Sequence, residues 1–114
     1  MDLKGKRVLV LGLGETGLSM ARWLSRERAD VRVADTRAAP PALEQLRRAL
    51  PSVAIACGDF ADSIFAEIDL IAISPGVPIA DPAVSHARAR GVPVVGDIEL
   101  FAQAPKLNLE HSSS

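Results

Sequence analysis

The sequence predicts an α/β fold: a Rossmann-like, three-layer domain built on a five-stranded parallel sheet, with expected strand order 3-2-1-4-5. Three observations carry that expectation. Short β-branched and aliphatic runs alternate with longer stretches whose apolar positions recur at helical spacing. The short runs are apolar almost throughout, as in strands covered on both faces by helices. The first run ends in Gly12-Leu13-Gly14-Glu15-Thr16-Gly17, a G-x-G-x-x-G that leads into a helical pattern. Right-handed crossovers then leave little freedom in how the units stack.

Each element follows from its residues. Residues 8–11 are a continuous apolar strand, broken by the glycines. Over residues 16–28, Leu18, Ala21, Trp23 and Leu24 recur on one face, while Arg22, Arg26 and Glu27 are left for solvent. Residues 31–34 form the second strand, ended by Asp35. Pro40 and Pro41 stop any strand and suit the first turn of a helix over 41–50. Residues 53–56 are the third strand, and 60–65 form one short helical turn. Residues 70–73 are the fourth strand, ended by Ser74-Pro75-Gly76. Pro82 fits the first turn of a helix over 82–90, with Asp81 as its N-cap and Gly91 free to adopt the left-handed stop. Residues 92–95 are the fifth strand, and 98–103 a last helical piece capped by Asp97.

The 114 residues fit one domain with a real core, 48% of them hydrophobic. Thirteen Lys and Arg against 14 Asp and Glu give a formal charge of −1, without the basic field that a nucleic-acid partner requires. A lone Cys57 forms no internal disulfide. With neither a C-x-x-C spacing nor a basic partner, it is expected to be a buried or half-buried filler. No run reaches the ~18 apolar residues of a membrane helix. The opening MDLKGKRVLVLG lacks a small-residue cleavage site and reads as a strand, so a cytoplasmic protein is expected. The domain is expected to occupy residues 1–105. Residues 106–114, KLNLEHSSS, have no periodicity and read as a vector-encoded or frayed tail, which makes His111 a poor catalytic candidate.

The polar punctuation at the strand ends carries the chemistry. In the glycine turn, Gly12 permits a tight bend, Gly14 a close ligand approach and Gly17 close packing of helix on sheet. The free N–H groups of the first helical turn then face a phosphate or another anion. Thr16 adds a hydroxyl; Glu15 opposes an anion unless it points to solvent. Asp35 lies 18 residues after Gly17, where dinucleotide-binding domains hold a ribose diol. With Thr36 and Arg37 it makes a trio able to hold a nucleotide by base and phosphate together; alternatively Asp35 caps a turn and Arg37 is solvated. Ser74, Pro75 and Gly76 end the strand beyond the expected reversal of strand order, where ligands bind. His86 stands without a second His or a Cys, so no metal site is expected. Neither a G-x-x-x-x-G-K-[ST] loop nor a Ser-His-acid set is present in the sequence.

Four segments in order, GLGETG at 12–17, DTR at 35–37, SPG at 74–76 and GDIELF at 96–101, make the chain resemble the N-terminal domain of the Mur ligases. Within them it is most similar to the branch that adds D-glutamate to UDP-N-acetylmuramoyl-L-alanine. Each segment is unspecific alone; the set, GDIELF most of all, separates the chain from ordinary dinucleotide dehydrogenases. The resemblance covers residues 1 to about 105.

The resemblance implies a domain that binds the UDP part of UDP-N-acetylmuramoyl-L-alanine. It places Leu13, Gly14, Glu15 and Thr16 by the diphosphate. Asp35, Thr36 and Arg37 surround the uracil and the neighbouring phosphate, and Ser74, Pro75 and Gly76 line the same cleft. The whole ligase, which serves cell-wall biogenesis and through it cell shape and division, uses ATP and Mg2+ to make an acyl phosphate that D-glutamate attacks. Its ATP loop, of the GTNGKS/T kind, is expected in a central domain a few residues past Ala104-Pro105. This sequence departs from the pattern at Lys106. The expectation is thus a binding domain without catalytic residues, metal or cofactor of its own, whose partners are the substrate and the central and C-terminal domains. Two other readings stay open: the NAD-binding half of a small oxidoreductase, and an interaction scaffold with an unused cleft.

Overall fold

The computed structural model describes residues 3–77 and 81–102. The expected tail at 106–114 and Gln103 lie outside them. The elements are β1 (Arg7–Leu11), α1 (Glu15–Arg26), β2 (Asp30–Asp35), α2 (Leu43–Ala49), β3 (Ala54–Cys57), a 3-10 turn (Asp62–Phe65), β4 (Leu70–Ile73), α3 (Pro82–Ala89), β5 (Val94–Gly96) and α4 (Asp97–Phe101). The five strands form one parallel sheet in the expected order, β3-β2-β1-β4-β5. Order reverses between β2 and β4 on either side of β1, so the carboxyl ends of β1, β2 and β4 open onto a common crevice.

Strand periodicity divides the core into two layers. Val8, Val10, Val31, Val33, Leu70 and Ala72 pack with Met20, Ala21 and Leu24 of α1, Leu46 of α2 and Leu100 of α4. On the opposite face Leu9, Leu11, Ala34, Ile71 and Ile73 pack with Phe65 and with Val84 and Ala87 of α3. Met20, Leu24 and Leu46 are fully buried. Each is worth about 1.5–3 kcal/mol relative to exposure, and together they hold α1 and α2 on the sheet. Gly91 takes φ +93 after α3, and Asp81 caps that helix by accepting from the Ala83 N–H at 2.9 Å, both as expected.

Several boundaries differ from the sequence reading, each for a local reason. α1 stops at Arg26 because Arg28 adopts φ +64, with the Ala29 N–H turned back to the Leu24 carbonyl; no glycine marks this stop. α2 begins at Leu43, after Pro40 and Pro41, and the Leu43 N–H donates to the Pro40 carbonyl at 3.1 Å. β5 begins at Val94, since Pro93 has no N–H to give, although its carbonyl accepts from Ile71. The last helix is capped by Glu99, not Asp97: Gly96 is the N-cap and its N–H donates to the Glu99 carboxylate at 3.2 Å.

β3 is not covered on both faces. Only the four-residue 3-10 turn lies between β3 and β4, too short to roof the sheet edge. Ala54 and Ala56 therefore border an open, shallow cavity of about 380 Å³ with Ala34, Arg32 and Ile64. For the same reason Cys57, at the end of this edge strand, is exposed and not the filler expected. Among the described residues, no helix is long and apolar enough to cross a membrane.

Candidate functional site

The crevice at the strand ends is built around the glycine turn, which is held from both sides. From β2, the Asp35 carboxylate accepts the Leu13 N–H at 2.7 Å, and the Ala34 carbonyl accepts the Gly12 N–H at 2.8 Å. From β4, the Ser74 hydroxyl donates to the Gly12 carbonyl at 3.0 Å, while the Ser74 N–H donates to Leu11. The Ala42 N–H closes on the Leu13 carbonyl at 3.2 Å. Gly12 and Gly17 are glycines of necessity. Gly12 has φ +91 and a Cβ there would lie 2.8 Å from the Val77 side chain; a Cβ on Gly17 would overlap the Gly12 carbonyl oxygen. Gly14 is different: among the described residues nothing lies within 4 Å of where its Cβ would be. Its bareness serves the open side of the turn.

Gly14 is the N-cap of α1, and among the described residues no side chain caps that helix start. By helix geometry the N–H groups of Glu15, Thr16 and Gly17 have no intrahelical acceptor. They form an anion-attracting end at the mouth of the crevice. Glu15 is exposed on this first turn and Thr16 is half-buried.

Asp35 and Arg37 form a compact unit at the end of β2. Asp35 is 3% exposed, and besides Leu13 it accepts from the Arg37 N–H at 2.8 Å, from Arg37 Nε at 2.9 Å and from Arg37 Nη2 at 2.7 Å. Burial pushes the Asp35 carboxyl up, but the hydrogen bonds from the Arg37 side chain and from the two N–H groups outweigh it and hold the group at about 2. The same bonds raise Arg37 further above its ordinary value, so the guanidinium is always charged. Arg37 is thus folded against Asp35, while its side chain remains 55% exposed to the crevice and solvent.

The structure brings nine of the ten expected site residues to one cleft of about 540 Å³. Gly14, Glu15 and Thr16 form one wall, Asp35, Thr36 and Arg37 the second, and Ser74, Pro75 and Gly76 the third. The tenth, Leu13, does not line it: its side chain is fully buried in the core and its N–H is spent on Asp35. Gly12 and Val77 line the cleft as well. Val77 carries no polar signal; it enters because its N–H closes the Ser74-Pro75-Gly76 turn on the Ser74 carbonyl at 3.0 Å. His86 is exposed on α3 and lies outside the cleft.

Residues 6–96 match the pattern described as Mur ligase MurD-like, N-terminal domain. The UDP-N-acetylmuramoylalanine--D-glutamate ligase of Methylobacillus flagellatus is 58% identical over 104 residues, covering 91% of this chain and 23% of that protein. The enzyme of the same name from Nitrosomonas europaea is 56% identical over 104 residues, covering 91% and 22%. Among solved structures, the UDP-N-acetylmuramate-alanine ligase of Thermotoga maritima superposes with TM-score 0.72 at 20% identity, over 90% of this chain and 23% of that one, which shows a shared fold. The chain spans about a fifth to a quarter of the length of the curated relatives it matches. On a match over 91 consecutive residues that takes in the glycine turn and both other cleft walls, the chain belongs to the Mur ligase family, as a MurD-like N-terminal domain.

Proposed function

We propose that this chain binds the UDP part of UDP-N-acetylmuramoyl-L-alanine, as the substrate-holding first domain of a cytoplasmic ligase that adds D-glutamate during peptidoglycan synthesis. The supporting observation is the convergence of three separate sequence segments on one cleft beside an uncapped helix start. The diphosphate belongs at the Glu15, Thr16 and Gly17 N–H groups, with Gly14 bare to let it approach. The uracil and its ribose belong against Thr36 and Arg37, and Ser74-Pro75-Gly76 closes the third side.

ATP and Mg2+ would supply the acyl-phosphate chemistry of the whole ligase. The residues here do not fit them. Among the described residues the one cation lining the cleft is Arg37, tied to Asp35, and no group of three or more His, Cys, Asp or Glu that could hold a metal occurs. Both are assigned to the central and C-terminal domains, for which the greater length of the relatives leaves room. The share of this chain is then to bind and orient substrate. The affinity of this domain taken alone is modest, since an open cleft desolvates little of a ligand.

Amide-resolved NMR titration with UDP-N-acetylmuramoyl-L-alanine tests this reading. Resonances of Gly14, Thr16, Thr36 and Arg37 should move together at millimolar ligand. If they stay fixed, the UDP reading fails; a chain that responds to no nucleotide at all is instead an interaction scaffold.

A further inference from the structure

A glycine turn that accommodates a diphosphate serves nucleotide clefts of different specificity, so it does not by itself select a ligand. In dinucleotide-binding domains an acidic residue at the end of the second strand accepts hydrogen bonds from the ribose diol. Asp35 stands at that place, but its capacity is taken. Oδ2 accepts from the Leu13 N–H and from Arg37 Nη2, both at 2.7 Å, and Oδ1 accepts from the Arg37 N–H at 2.8 Å and from Arg37 Nε at 2.9 Å. A carboxylate has about four lone-pair directions. None is left for a vicinal diol.

We propose that Arg37 is a specificity-determining residue: by filling half of the Asp35 carboxylate with its own side chain, it withdraws the ribose-diol acceptor and turns a dinucleotide-type cleft away from NAD. A diol entering there would have to displace two charge-assisted hydrogen bonds and replace them with weaker neutral donors. The other two bonds come from backbone N–H groups and survive any substitution of the Arg37 side chain other than proline. Removing the guanidinium therefore frees two acceptor directions toward the cleft while Leu13, and with it the glycine turn, stays clamped. The proposal rests on the cleft being a nucleotide site, yet the two can fail separately.

The experiment uses the 114-residue chain, its Arg37→Met variant, and Arg37→Met combined with Asp35→Asn, each titrated with NAD and with UDP by calorimetry. The unsubstituted chain should bind UDP and give no measurable heat with millimolar NAD. Arg37→Met should gain NAD affinity of about tenfold or more, and Asp35→Asn should abolish the gain. An Arg37→Met chain with native Trp23 fluorescence that binds NAD no better than its parent overturns the proposal, as does a parent that already binds NAD as well as UDP. A parent that ignores UDP, with the NAD gain present in Arg37→Met, overturns the UDP reading and supports the proposal. Should Arg37→Met not fold, Arg37→Gln retains one donor for Asp35; a smaller gain supports the proposal and no gain overturns it.

Discussion

Replacing Gly17 by alanine sets two opposing effects against each other at one position. In an exposed helix interior, Gly→Ala stabilises by about 1 kcal/mol, since alanine restricts the unfolded chain and suits the helix. Here the new methyl group would overlap the Gly12 carbonyl oxygen, and would lie 2.9 Å from that carbonyl carbon and 3.2 Å from the Ser74 hydroxyl. Those neighbours are backbone, and a side chain that already donates to Gly12 at 3.0 Å, so neither can swing aside. α1 has to withdraw from the turn. Overpacking of this kind costs about 1–3 kcal/mol or more, and stretching the Ser74 bond costs about 1 kcal/mol further. The clash wins: a net loss of about 2 kcal/mol, or roughly 10 °C in Tm for a domain of this size. Urea unfolding followed by the single Trp23, half-buried on α1 with its ring centroid 5.9 Å from that of Phe101, measures it directly. The control is Gly14→Ala, where the methyl group meets nothing within 4 Å among the described residues and the cost is limited to about 1 kcal/mol or less from poorer capping. A Gly17→Ala chain as stable as its parent would refute the close packing of α1 on the turn, and with it the placement of the helix start in the cleft.

Two further outcomes follow from the cleft. Gly14→Val leaves the backbone unstrained, since Gly14 has φ −101, and costs the fold about 1 kcal/mol through poorer capping. Its side chain stands where the proposed diphosphate would approach, so UDP binding by NMR should fall more than about tenfold; unchanged binding would make the turn purely structural. Asp35 makes stability depend on pH. Its folded pKa is lowered from 3.8 to about 2, so its contribution is complete above the unfolded value and is lost as pH falls through that range. The loss is at most about 2 kcal/mol, and less because the partner Arg37 is half exposed and screened. Urea unfolding at descending pH should show it in the parent and not in Asp35→Asn; identical pH dependence in both would refute it.

The sheet was legible because its central strands are buried on both faces: Val8–Leu11 and Leu70–Ile73 have no polar residue to blur the pattern. The cleft was legible because each strand reaching it ends in a polar or glycine segment. What could not be read were bonds across the sheet. The Asp35–Leu13 bond spans 22 positions and Ser74–Gly12 spans 62; both exist only because parallel register sets Ala34 and Ile73 beside Leu11. The Asp35–Arg37 pair was closer to view, two positions apart at a strand end, where an Asp side chain readily turns back onto the chain. The exposure of Cys57 depends on the length of a crossover that composition does not reveal. Capping of α4 by Glu99 was within reach, since a glycine three residues before a glutamate fits the N-cap and N3 spacing.

The groups that build this site and the groups left to act in it are different groups, and on the proposed function the division accounts for how a cleft with little favourable charge would select a ligand. Of its charged side chains among the described residues, Asp35 and Glu15 are acidic and only Arg37 is basic, so side-chain charge alone does not attract a diphosphate. Attraction has to come from the uncapped start of α1 and from what Arg37 has left. Arg37 spends two of its five N–H donors on Asp35, which leaves three for a ligand. Because Asp35 is itself fixed to the glycine turn, those three donors are already positioned relative to the helix start before anything binds. Much of the rotamer entropy a free arginine would lose on meeting a nucleotide is therefore lost during folding. Asp35 thus acts as the link that makes one rigid unit of the base end and the phosphate end of the cleft. Its removal should weaken nucleotide binding even though no acceptor on it faces the ligand.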